Sequence, residues 1–271
     1  MKKLFLHWFL LFQFVQAQTV YYPPHSNSIG LGAYSKNFAD IFSFTSNPAV
    51  LGWLSSGGIG VFTEQKFLLD ALRFYTMAAA IPLSNGGIGI NAKYNTAGAF
   101  KESQFGLAYG KSLGTVAIGA QFNYSGIQIT GYGKEAVFYF DVGTLWQLSE
   151  KLITGLRISN PTGARFGQNK EEKLALTCSF GLGYEVSKAV FINSEIIKEE
   201  DRSPDILLSL YYSFADKFFL RAGIATATTS PWIGTGLSWK KMRVDITSNY
   251  HPQLGISPGI SLIFSGKQKA E

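Results

Sequence analysis

The stretch EAVFYFDVGTLWQ (Glu135–Gln147) alternates strictly between two kinds of side chain. Ala136, Phe138, Phe140, Val142, Thr144 and Trp146 fall on one face. Glu135, Val137, Tyr139, Asp141, Gly143, Leu145 and Gln147 fall on the other, because successive side chains of a strand point to opposite sides. KLALTCSFGLGYE (Lys173–Glu185) repeats the arrangement, with Leu174, Leu176, Cys178, Phe180, Leu182 and Tyr184 on its greasy face. In both stretches the second face is small, polar or charged. A strand with one fully apolar face and one small polar face needs a nonpolar surrounding on one side and a restricted polar space on the other.

Fourteen such runs follow one another from Gly57 onward, centred near Val61, Thr76, Ile90, Leu107, Ala120, Phe140, Leu156, Phe180, Ile192, Leu210, Ala222, Thr235, Ile246 and Ile260. Tight connections are expected at Ser84–Gly86, Lys111–Gly114, Ser149–Lys151, Ser187–Lys188, Ala215–Lys217 and Lys240–Lys241. Longer ones are expected at Gln65–Asp70, Asn95–Lys101, Ser125–Lys134, Asn160–Glu172, Lys198–Ser203, Ala227–Ser230 and Tyr250–Gly255. Short turns alternating with long loops, around an even number of strands, are the pattern of a transmembrane barrel. A soluble β-sandwich would bury its apolar faces without producing that rhythm. The sequence therefore predicts an all-β transmembrane antiparallel β-barrel of about 14 strands over residues 57–264, with a polar C-terminal tail at 265–271.

Composition agrees with this reading. The 271-residue chain is 46% hydrophobic and only 15% charged, with 22 Phe, 13 Tyr and 29 Gly, against roughly 25% charge in ordinary soluble domains. Beyond the amino terminus no segment reaches the roughly 18 uninterrupted apolar residues that a membrane helix needs. Lys2 and Lys3, the apolar run Leu4–Phe14 and Ala17 read as a signal peptide over 1–17, with Gln18 as the mature start. No Cys follows that run, so it is not a lipoprotein signal. Cys178 has no partner for an intramolecular disulfide and reads as a small apolar strand residue. The net charge of +6 falls as the leader lysines are removed, and many of the remaining lysines lie in turns. Solvated turns account for them, and no nucleic-acid partner is expected.

By strand parity the ionisable residues Glu64, Lys93, Asp141, Arg157, Glu185, Glu195, Arg221, Arg243 and Asp245 face the lumen. Mixed signs there suit a polar interior satisfied by pairing; a charged substrate path is the sharper alternative. Tyr94, Tyr109, Tyr124, Trp146, Tyr184, Tyr212 and Trp239 face outward near strand ends, as interfacial aromatic girdles do. Gly86–Gly89 and Gly234–Gly236 could mark kinked strands, or positions where a crowded lumen admits no side chain.

Residues 18–56 form a different segment, expected to be an N-terminal plug or periplasmic cap. Gly30 and Gly32 allow close backbone approach, Phe38–Phe44 is a short apolar cluster, and Asn47-Pro48 is expected to end the plug. Ala49–Gly52 would then run along the wall into the first strand. The series Leu31-Gly32-Ala33, Ala39-Asp40 and Asn47-Pro48-Ala49 ahead of the first strand resembles the fatty-acid transporter (FadL) superfamily of outer-membrane barrels. It is most similar to the PorV/PorQ-like branch of Bacteroidetes type, associated with type IX secretion. Glu150–Phe166 and Ser248–Phe264 are also like segments of short members of that branch. The resemblance implies a fourteen-stranded barrel in the cell outer membrane of a Gram-negative bacterium, with both termini periplasmic. It implies outer-membrane lipid and lipopolysaccharide as surroundings, and secretion-system proteins or secreted cargo as partners. Its alternatives are passive transport of a hydrophobic ligand, or a purely structural barrel. The chain is short for a full PorV or fatty-acid transporter, and its loops are modest.

Enzyme chemistry is not expected. After the leader only His25 and His251 remain, with no zinc spacing and no Gly-x-Ser-x-Gly elbow, and GLGAYS (Gly30–Ser35) lacks a dinucleotide-site context. No cofactor or metal is implied. A Ser248–His251 pair is conceivable as a barrel hydrolase site, but His251 reads more simply as a loop residue. Glu199-Glu200-Asp201 reads as a solvated acidic trio rather than a calcium site, and Asn123–Ser125 matches a glycosylation acceptor by chance.

Overall fold

A computed structural model describes residues 28–167, 172–214 and 217–268. The leader, the mature start and His25 lie outside the described residues. Fourteen strands close into one antiparallel barrel: β1 (Ser56–Gln65), β2 (Leu72–Leu83), β3 (Gly86–Ala97), β4 (Phe100–Leu113), β5 (Val116–Ile129), β6 (Gly133–Gln147), β7 (Leu152–Ser159), β10 (Thr177–Glu185), β11 (Val190–Glu199), β12 (Asp205–Phe214), β13 (Phe218–Ala225), β14 (Ser230–Trp239), β15 (Met242–His251) and β16 (Gly255–Gln268). Between β7 and β10 the long connection carries a separate two-stranded ribbon, β8 (Arg165–Phe166) and β9 (Glu172–Lys173). β1 pairs with β16, which removes both free edges.

Period-two alternation is what the burial shows. Along β4, Gln104, Gly106, Ala108 and Gly110 are buried, while Phe105, Leu107 and Tyr109 are exposed. The outer face therefore carries the large apolar residues and the lumen the small and polar ones.

Three expectations about connections are corrected. Asn95–Lys101 and Ser125–Lys134 are not long loops. β3 and β4 pair up to Ala97 and Phe100, and β5 and β6 pair up to Ile129 and Gly133. Those polar residues continue the ladder, so strands β2–β6 run 12 to 15 residues and the barrel wall is taller on that side. The final strand does not end at Phe264 either: Ser265 pairs with Gly58 and Gln268 with Ser56.

The segment before the barrel folds back inside it, at the end carrying the short turns. It forms three 3-10 turns, Leu31–Tyr34, Ser43–Thr45 and Pro48–Trp53. Asn47-Pro48 does not end the plug, contrary to expectation. Asn47 caps the third turn by accepting from the Ala49 amide at 3.0 Å, and Pro48 occupies its first position. Proline is suited there because that amide has no intrahelical acceptor. Tyr34, Phe42, Phe44, Val50 and Leu51 pack against Phe62, Phe74, Leu145 and Ile153 of the wall to make the buried core.

Candidate functional site

The lumen and its plug are the candidate site, and glycine decides how they fit. A Cβ on Gly89 would lie 2.9 Å from the Phe44 ring, and one on Gly60 would lie 2.6 Å from Ile41. On Gly119 it would lie 2.4 Å from the Pro48 carbonyl carbon, and on Gly181 2.0 Å from the Tyr34 ring. No real Cβ tolerates such distances, so the plug occupies the volume that side chains would otherwise fill. Pairing continues in register through Gly86–Gly89 and through Gly234–Gly236. These glycines therefore mark crowding and not a kink. Gly30 adopts φ 75 and packs against Ser46, and Gly32 packs against the Phe38 carbonyl.

Polar contacts hold the plug as well as packing does. The Tyr34 hydroxyl donates to Glu195 at 2.9 Å, and Glu185 accepts from the Lys36 and Asn37 amides at 3.2 and 3.3 Å and from the Ser35 hydroxyl. Lys36 donates to Gln147 at 2.6 Å and lies over the Trp53 ring at 4.4 Å. Asn47, fully buried, donates to the carbonyls of Thr144 and Leu156 at 3.4 and 3.2 Å. Burial pushes the Tyr34 phenol well above its ordinary pKa, and the neighbouring Glu195 adds to that rise. Burial lowers Lys36, against the opposing pull of Glu185.

Asp40 joins the largest charge cluster from the plug side. It pairs with Arg243 at 2.8 Å, and Arg243 pairs with Asp245 at 2.9 Å. Asp245 also pairs with Arg221 at 2.8 Å and accepts from Ser261 at 3.0 Å, and Arg221 donates to the Ser28 carbonyl at 3.2 Å. Both guanidinium groups sit over Phe219, at 5.2 and 5.0 Å. An aromatic ladder runs from that ring through Tyr211 and Phe38 to Phe191. A cavity of about 100 Å³ lies between Phe38, Asp40, Tyr211 and Arg243.

The other lumen-facing charges belong to separate groups. Arg157 pairs with Asp141 at 2.8 Å, and Lys93 lies on the same inner wall. Glu64 pairs with Lys66 at 2.5 Å near the far end and accepts from Asn249 at 3.1 Å. The nine charges thus lie at several heights and do not converge on one locus. Sequence reading missed Tyr34, Ser35, Lys36 and Asn37 as anchors. Their signal was a polar tetrad, YSKN, between the two glycines and the apolar cluster.

Other candidates separate on inspection. Alternation puts Ser248 and His251 on opposite faces of β15, which removes the Ser–His pair. His251 instead packs edge-on to Phe67 at 5.9 Å. Glu199 pairs with Arg202 at 3.1 Å and Glu200 with Lys173 at 2.5 Å. Lys173 lowers the Glu200 pKa, so this acidic trio is already neutralised in part. Asn123 is fully buried in the lumen, accepting from Gln104 and Gln121 at 3.1 and 2.6 Å, and is no glycosylation acceptor. Cys178 is exposed on the outer face.

No family model matches the sequence, and no curated protein matches it. Solved structures do share its fold. The toluene transporter TbuX of Ralstonia pickettii superposes with a TM-score of 0.58 at 9% identity, covering 86% of this chain and 94% of that one. The TodX monoaromatic hydrocarbon channel, as a deltaS2 mutant, gives 0.59 at 9% identity, with 86% and 95% covered. A Pseudomonas aeruginosa FadL homologue gives 0.56 at 9% identity, with 87% and 94% covered.

Proposed function

Starting from a FadL-type barrel fold, we propose that this protein is a sealed outer-membrane barrel acting as an accessory or docking component of protein secretion, of the PorV/PorQ-like kind linked to type IX secretion. One observation carries the reading: the plug fills the short-turn half of the lumen, where wall glycines leave no room beside it. The wall is hydrogen-bonded around its whole circumference. A plugged barrel offers its rims and outer wall to partners. In this reading the short-turn end and the plug face the periplasm. Secreted cargo or secretion-system proteins are the partners. The test is a gene deletion scored on the secreted proteome and on surface protein display, together with a pull-down from outer membranes. Unchanged secretion and display would sink the idea.

A second reading is passive transport of a hydrophobic small molecule, supported by the fold shared with barrels described as a toluene transporter and a monoaromatic hydrocarbon channel. It requires the plug to move, because Asp40 of the plug pairs with Arg243 of the wall inside the lumen. Uptake of a radiolabelled aromatic hydrocarbon into proteoliposomes, above that of empty vesicles, would favour it over docking.

A further inference from the structure

The outer wall of the tall side carries a vertical order of chemistry that the sealed lumen does not explain. Ladder pairing brings Arg73, Thr96, Lys101, Gln128 and Lys134 into one row across β2 to β6. Strand alternation turns this row outward, in phase with the exposed Tyr75, Tyr94, Phe105 and Phe138. Neighbouring strands stand about 4.8 Å apart, so the three cations recur at roughly 10 Å spacing. Among the described residues Asp70, in the adjoining loop, bonds Arg73 at 3.0 Å. Glu102 and Glu135, next to the lysines in sequence, have the opposite parity.

The row also lies at the height of a membrane interface. On β4 the outward residues from Lys101 to Lys111 enclose Ser103, Phe105, Leu107 and Tyr109. Ten residues at about 3.4 Å each, on a strand tilted about 40°, rise roughly 26 Å, which matches the apolar band of a membrane barrel. Beneath the Arg73–Lys101 part of the row lies an apolar groove of about 500 Å³, bordered by Tyr75, Met77, Tyr94 and Phe105 and continuing across β1 to β16 at Val61 and Ile260.

We propose that this face binds a phosphate-bearing lipid of the surrounding leaflet, its headgroup on Arg73, Lys101 and Lys134 and one acyl chain in the groove below. Charge complementarity selects the occupant: the order cation, tyrosine, apolar trough matches phosphate, glycerol or sugar, and hydrocarbon in one amphiphile. A partner protein's apolar segment would use the trough but not the cations. The inference rests on the outer-membrane reading, which cell fractionation tests separately.

The experiment uses the purified full-length mature protein in detergent, with lipid A as probe and native mass spectrometry as readout. Wild type is expected to retain lipid A, and to retain dephosphorylated lipid A at least tenfold less. The triple variant Arg73→Ser, Lys101→Ser, Lys134→Ser should lose retention by a similar factor. Lys111→Ser, Lys151→Ser and Lys241→Ser at the opposite rim should leave it unchanged. Heat-modified gel migration identifies folded barrel in every case, and none of these positions belongs to the buried core. Equal binding by the rim triple, indifference to phosphate, or equal loss in the opposite-rim variant would overturn the proposal.

Discussion

Asp40 and Arg243 stand 203 residues apart in the chain and 2.8 Å apart in the fold. They connect the plug to β15 through a charge that is already shared with Asp245. Removing Asp40 strips one partner from a mostly buried guanidinium, a loss that costs about 3–5 kcal/mol when no second partner exists. Because Arg243 keeps Asp245, Asp40→Asn is expected to cost about 1–3 kcal/mol. Thermal unfolding of the detergent-solubilised barrel should fall accordingly, with earlier protease cleavage within residues 28–55. An unaltered melt and cleavage pattern would show that the pair does not hold the plug.

Gly119 faces the Pro48 backbone, while Ala120 next to it faces outward. Gly119→Val should displace the plug and destabilise the barrel by several kcal/mol, since backbone cannot yield as a side chain can. Ala120→Val should shift the melting temperature little. If the two substitutions behaved alike, the close fit between plug and wall would be wrong.

The Tyr34 phenol is raised well above its usual value of 10.0. A group whose pKa is raised on folding contributes stability that is complete below its unfolded pKa and is lost as pH rises through the folded value. Alkaline titration above about pH 10 should therefore loosen the plug. Tyr34→Phe should flatten this pH dependence, while losing the hydrogen bond to Glu195 at every pH. Protease access to residues 28–55 at a series of pH values is the measurement.

Cys178 faces outward on β10. In outer-membrane vesicles it should react with a membrane-permeant apolar maleimide and resist a charged one. Transfer to detergent micelles is not expected to bring it up to the rate of a rim cysteine placed at Lys188. Fast labelling by the charged reagent in vesicles would place this face in water.

The strands were legible because a barrel writes its two environments into alternate residues. Phe138 and Asp141 needed only their parity to be assigned to opposite faces. Turn chemistry at Ser84-Asn85-Gly86 was equally local. Strand ends were less legible: Asn95, Thr96 and Lys101 look like loop residues, yet continue the β3–β4 ladder above the apolar band. Polar residues there meet no penalty in either state, so composition does not separate them.

The plug was legible as a departure from period two, but not as an object inside the lumen. Asn47-Pro48 reads locally as a stop, and only the wall shows that Asn47 is bound by Thr144 and Leu156 within a capped turn. What the sequence by itself determined was the alternation and the number of barrel strands, because each depends on neighbours along the chain. What the tertiary structure alone decided was that Gly60, Gly89, Gly119 and Gly181 are the plug's seat and that Asp40 meets Arg243. Those facts depend on closing a barrel around its own amino-terminal segment, and no local pattern of residues encodes a contact made across that closure.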